Sequence, residues 1–138
     1  MSDIKKDESL IPNKNIEKFV EILQKEPSEE ALAAALSAVR RSMKAGGRFI
    51  VPVKAPDGTG LDIEALSVDG SKWLPVYTSF EEELKGGGSV MSTFLADIGD
   101  VLNMAMTQDD IDGVILNPYD RTLKLDKHLI RIILGTMQ

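Results

Sequence analysis

Tyr77-Thr78-Ser79 and Asn117-Pro118 are the residues of this sequence best placed to bind something. Each group follows an apolar run, Trp73-Leu-Pro-Val in one case and Gly113-Val-Ile-Leu in the other. Open sheets place their ligands at strand ends when the strands run parallel. If these two runs are adjacent strands, hydroxyls, an amide and the N–H groups of a helix starting near Ser79 converge in one crevice. Such a crevice suits a carboxylate or another small polar ligand. The same residues also have a purely structural reading. Ser79-x-x-Glu82 fits a capping box, and Asn117-Pro118 fits a turn.

Other reactive side chains are sparse. His128 is the only histidine. Helical spacing groups it with Lys124, Lys127 and Arg131, and no motif pairs it with a nucleophile or an orienting group. There is no cysteine, which removes disulfides, thiolate metal sites and cysteine nucleophiles together. Asp109-Asp110 with Asp112, and Asp97 with Asp100, carry oxygen ligands but lack the spacing and closing glutamate of a calcium loop. They read as caps and solvated surface. Gly86-Gly-Gly-Ser-Val lacks the Lys-Ser or Lys-Thr of a phosphate loop, so it reads as a hinge. Glu81-Glu-Glu83 reads as a solvated helix start. The expectation is no metal, no cofactor and no catalytic set.

The elements that must position these residues follow from apolar spacing. Residues 1–12 mix charge with few apolar anchors and read as a loose leader, with one domain over 13–138. Ile16, Phe19, Val20 and Leu23 make one helical stripe, with Asn13 or Asn15 as N-cap. Ser28 caps a second helix whose buried face is Leu32, Leu36, Val39 and Met43, and Gly46-Gly47 stops it. Arg48–Val53 is a strand, and Pro52 in it argues for an edge or a bulge. Leu61–Val68 is a half-exposed strand with a bulge near residue 65. Asp69-Gly70 turns it back into Trp73–Tyr77. A short helix follows from Ser79. Phe94, Leu95, Ile98, Val101, Leu102 and Ala105 predict a helical crossover over 92–106, capped by Ser92 or Thr93. Asp112–Leu116 is a buried strand, Leu123 and Leu125 mark a last strand, and Asp126 caps a final helix carrying Leu129, Ile130, Ile132 and Ile133. The fold class is α+β (mixed α/β). About five strands form a mixed sheet that includes an antiparallel meander, behind an N-terminal helical hairpin, with helices mainly on one face.

The chain has 138 residues, with 43% hydrophobic and 28% charged, which suits one soluble globular domain. Residues 1–45 are neutral, with 8 basic and 8 acidic side chains, so the whole net charge of −6 lies beyond them. An acidic surface of that kind repels phosphate backbones and anionic membranes, so neither nucleic acid nor membrane is an expected partner. The first residues have no apolar signal core and no apolar run approaches a bilayer span. With the absent cysteines, this sets an expectation of a cytoplasmic protein.

Four features together resemble a known family. They are the opening helical hairpin, the strand Phe49-Ile-Val-Pro-Val53, the turn Asp69-Gly70 leading into Leu74-Pro-Val-Tyr-Thr-Ser79, and Gly113-Val-Ile-Leu-Asn-Pro118 before a short strand and helix. Residues 13–135 are in this respect similar to the SseB-type N-terminal domain, a bacterial family named for a serine-sensitivity phenotype. The resemblance implies a bacterial cytoplasmic domain and supplies no catalytic residues. The expected function is a non-enzymatic protein-interaction module. The alternative is a sensor for an amino acid or other carboxylate, bound by Tyr77, Thr78, Ser79 and Asn117. Trp73, Met91, Met104, Met106 and Tyr119 are candidates for an adaptable contact surface.

Overall fold

The computed structural model describes residues 8–53, 65–85 and 92–135. Two helices open it, α1 (Asn13–Lys25) and α2 (Glu29–Lys44), packed as a hairpin. Ile16 and Val20 of α1 are buried, as the stripe predicts. The Ser28 side chain accepts the N–H of Ala31 at 3.0 Å and so caps α2. Of its expected buried face Leu36 and Val39 are buried and Leu32 and Met43 partly so, and Ala35 and Ala38 are buried beside them. Small side chains on this face let α1 approach closely.

Among the described residues six strands follow: β1 (Arg48–Val53), β2 (Leu66–Val68), β3 (Ser71–Val76), β4 (Ser92–Asp97), β5 (Gly113–Leu116) and β6 (Leu123–Asp126). The helices between and after them are α3 (Phe80–Leu84), α4 (Ile98–Thr107) and α5 (Lys127–Leu134). A four-stranded sheet has the order β2-β3-β5-β6, with β3 and β5 parallel and the outer pairs antiparallel. β1 and β4 form an antiparallel pair. The pair is joined to the sheet by one bridge, where Ile50 and Tyr77 exchange both backbone hydrogen bonds at 2.9 Å. The class is α+β, with α1, α2, α4 and α5 on one face of the strands around a single large core.

Two details differ from expectation. Residues 92–97 are strand β4, not the start of the crossover helix, which runs only from Ile98 to Thr107. Phe94 and Ala96 face the main core while Leu95 packs with Leu10, Ile50 and Tyr77 on the opposite side. That is period 2, imposed by pairing with β1. Ser92 and Thr93 therefore do not cap α4. Its N-cap is Asp97, which makes no capping side-chain hydrogen bond. The second difference concerns β1, which among the described residues pairs with β4 and Tyr77 rather than extending a meander. Residues 61–64 and the glycines 86–88 lie outside the described residues, as does Met91. Leu10, within the expected leader, is buried.

The prolines and glycines explain the register. The N–H and C=O of Tyr77 point to β1, and alternate residues of a strand point to the same side. Pro75 therefore presents its missing donor to the gap where β2 ends and β1 takes over. Pro52 likewise shares the outward orientation of Ile50, so its missing N–H does not weaken the β1–β4 ladder. Asp69 and Gly70 both have positive φ, 52° and 83°, the signature of a type I′ hairpin. At Gly113 an added Cβ would fall 2.1 Å from the carbonyl oxygen of Leu125, so β5 and β6 can pair there only through glycine.

Candidate functional site

The parallel register places Val76 opposite Leu116, so the next residues of each strand emerge side by side. Asn117 ends β5 in the left-handed region, at φ 49°, which asparagine tolerates better than most residues. Its Oδ1 accepts the Thr78 N–H at 3.0 Å, and its Nδ2 donates to Thr78 Oγ1 at 3.0 Å. The Thr78 hydroxyl donates in turn to Glu17 Oε2 at 2.5 Å. Asn13 reaches the same knot from α1. Its Nδ2 donates to the carbonyls of Arg48 at 2.6 Å and Thr78 at 3.1 Å, and its Oδ1 accepts the Ser42 hydroxyl at 2.6 Å. Asn13, Ser42, Thr78 and Asn117 are all buried. Their polar atoms satisfy one another, which is what burial demands of them. Asn13 is thus a strut between α1, α2, β1 and β3, not the helix cap expected from sequence.

An ionic layer surrounds this knot. Arg121 donates through Nε to Glu21 at 2.8 Å, and through one terminal nitrogen to Glu17 at 3.3 Å and Glu82 at 3.2 Å. Lys85 pairs with Glu82 and with Asp120, both at 2.8 Å. Burial works to lower the Arg121 pKa, but Glu21, Glu17 and Glu82 together hold it above its usual value. Hydrogen bonds to Asp120 and Glu82 raise that of Lys85. The same Lys85 contact, with the backbone of Arg121, holds Asp120 below the usual carboxylate range. Burial raises Glu83. Glu82 is 1% exposed, which corrects the reading of Glu81–Glu83 as a solvated helix start. One of its oxygens, Oε1, has no hydrogen-bond partner among the described residues.

The expected site residues are divided by the sheet. Thr78 and Asn117 come together as expected. Tyr77 is adjacent to Thr78 but points to the other face, where its ring stacks on Tyr119 with centroids 6.1 Å apart. Burial, then the neighbouring Tyr119, push its phenol well above the ordinary tyrosine range. Ser79 caps α3 by accepting the Glu82 N–H at 3.2 Å. The capping box is half made, because the Glu82 side chain turns inward to Arg121 and Lys85. The polar atoms at the strand ends are engaged with the protein itself, and the nearest charge is the Glu17 carboxylate.

A second feature was not singled out by sequence reasoning. α2 and α5 leave an open groove of about 380 Å³ between them. Leu32, Ala33 and Leu36 of α2 and Leu129, Ile132 and Ile133 of α5 line it, with Glu29, Ser37 and Arg40 along one wall. Ile132 is 38% exposed. The signal was present in α5, where Leu129, Ile130, Ile132 and Ile133 span a wider arc than one core face requires. Ile130 and Ile133 fill the core, and Leu129 with Ile132 are left for the groove. The α5 start is capped by Asp126, which accepts the Leu129 N–H at 2.9 Å. His128 is exposed, one helical turn before Ile132. Of the contact candidates, Trp73 is buried, Met104 and Met106 are partly buried against the core, and Tyr119 is exposed.

Among the described residues no group of three or more acidic, histidine or cysteine side chains could hold a metal ion. No helix among them is long and apolar enough to cross a membrane. Asp97 pairs with Arg48 at 3.1 Å, and Asp112 accepts the Lys72 N–H at 2.9 Å, so both serve the fold. Comparison with curated proteins and with solved structures returns no match. The model of the SseB protein N-terminal domain matches residues 16–131, a stretch that begins in α1, ends in α5 and includes Thr78 and Asn117 of the polar knot and the α2 wall of the groove. The chain therefore belongs to the SseB N-terminal domain family.

Proposed function

We propose that this domain is a non-enzymatic protein-interaction module whose contact surface is the groove between α2 and α5. The observation that carries this reading is the groove's composition. Two helical stripes of aliphatic side chains stand open between them, and polar side chains are confined to one wall. Recognition of an amphipathic helix uses this arrangement. Large aliphatic groups such as Ile132 and Leu129 gain about 25 cal/mol for each Å² of apolar surface that a partner covers.

A carboxylate sensor at Tyr77, Thr78, Ser79 and Asn117 is the rival reading, and it has less support. A ligand there must displace the Thr78–Asn117 hydrogen bonds and approach the Glu17 carboxylate, and like charges in a buried site repel. The deciding experiment is affinity capture from the native host, using wild type and Ile132→Asp as baits. Ile132 lies on the surface, so the variant should fold. A saturable partner held by wild type and lost by the variant supports the module. Equal capture by both baits contradicts it. So would a rise in thermal stability with small carboxylates, or substrate turnover abolished by a single side-chain change.

A further inference from the structure

We propose that the α2–α5 groove receives a second copy of this chain, docked antiparallel across a two-fold axis that passes between Ala33 and Leu36 of α2. The inference rests on reading the groove as a contact surface, and it adds the identity of the occupant.

The order of residues along the α2 wall suits a second copy. α2 contributes Glu29, Leu32, Ala33, Leu36, Ser37 and Arg40, which follow one another at helical spacing as a single stripe. Only the two ends carry charge, a carboxylate at one and a guanidinium at the other, roughly 16 Å apart by helix rise. Read in reverse, the stripe exchanges its end charges and sets a large side chain opposite a small one at each interior position. Two copies set antiparallel therefore place Glu29 against the partner's Arg40, and Arg40 against the partner's Glu29. Between these pairs, small Ala33 faces the partner's Leu36 and Leu32 faces the partner's Ser37. Alternation of large and small side chains is what two packed helices need to interlock. A two-fold interface demands this kind of self-complementarity.

Two further observations fit. Neither Glu29 nor Arg40 has an ion-pair partner among the described residues, whereas Arg48, Lys85 and Arg121 are all paired. The groove is also neutral, with one acid and one base, and the remaining cations of the two helices, such as Arg41 and Arg131, do not line it. A copy thus meets no net repulsion within the groove. Leu129 and Ile132 supply the second wall, against the flank of the incoming α2. Such a contact lies at the small end of specific interfaces, below about 1,200 Å², so the dimer is concentration-dependent.

Sedimentation of the purified chain from about 1 μM to about 1 mM spans the relevant affinities. Wild type should pass from monomer to dimer in that range. Glu29→Arg alone, or Arg40→Glu alone, turns both symmetric pairs into like-charge contacts and should weaken the dimer about tenfold. The double variant Glu29→Arg/Arg40→Glu keeps the net charge and re-forms both pairs. It should return to within about threefold of wild type. Both positions are exposed, and circular dichroism checks that each variant is folded. A wild type that stays monomeric throughout overturns the second copy as occupant but leaves the groove open to another protein. A dimer indifferent to the single changes, or not restored by the double one, overturns the antiparallel register. A dimer that Ile132→Asp leaves intact lies elsewhere and overturns the groove reading as well.

Discussion

Asn117 and Thr78 hold each other in a reciprocal clamp across the ends of two parallel strands, amide oxygen to backbone N–H and amide nitrogen to hydroxyl, each at 3.0 Å. The clamp is buried and fixes where β3 and β5 stop. Asn117→Ala leaves the Thr78 N–H without an acceptor and puts alanine at positive φ. The expected cost is about 2–4 kcal/mol, measured by urea denaturation. Asn117→Gly should relieve only the backbone part, about 1 kcal/mol. An Ala variant as stable as wild type would show that the clamp contributes little.

Ser79 is the simplest of the caps to test. It accepts the Glu82 N–H, and Ser79→Ala should lower stability by about 0.5–2 kcal/mol. The slope of the denaturation curve should stay the same, since the core is untouched. An unchanged midpoint would mean that α3 does not depend on this bond.

Arg121 answers three carboxylates at once. Arg121→Met leaves Glu82 buried with Lys85 as its remaining cation, and should cost about 3 kcal/mol. Glu82→Gln in the same chain removes the stranded charge, so the double variant should be more stable than the sum of the singles predicts. A coupling of about 1 kcal/mol or more is expected from the cycle. Strict additivity would argue that the two side chains do not interact.

Asp120 provides the pH test. Its carboxyl is held below the usual range, first by the Lys85 hydrogen bond. A carboxylate with a lowered folded pKa stabilises the fold above its unfolded pKa, and that contribution is lost as pH falls through the folded value. Lys85→Met should move the Asp120 titration up toward the ordinary range, followed by carboxyl-carbon NMR shifts. A titration that does not move would place the cause elsewhere.

The parts that could be read from sequence are those set by neighbours in the chain. Ser28, Ser79 and Asp126 cap helices through N–H groups three residues away. Asp69-Gly70 turns a hairpin with local torsions alone. Two apolar runs with turn chemistry at their ends mark β3 and β5 as strands, and the structure pairs them in parallel. What could not be read depends on distant partners. Phe94, Leu95 and Ile98 fit a helical stripe as well as a strand, and only pairing with β1 decides for strand up to residue 97. Asn13 looked like a cap because its inward partners, Arg48 and Thr78, lie 35 and 65 residues away. Arg121 carried no signal at all, since Glu17 is 104 residues from it. The candidate site was half legible. Thr78 and Asn117 meet as their strand ends suggest, while strand alternation sends Tyr77 to the opposite face. The groove needs α2 and α5 side by side, which no local pattern states.

If α2 and α5, not the strand ends, form the contact surface of this domain, amide hydrogen exchange of the domain, free and in its captured complex, will show it. Exchange should slow over residues 29–40 and 127–135 in the complex, with residues 77–79 and 117 unchanged. Protection centred on residues 77–79 and 117, with α2 and α5 exchanging as in the free domain, would contradict it.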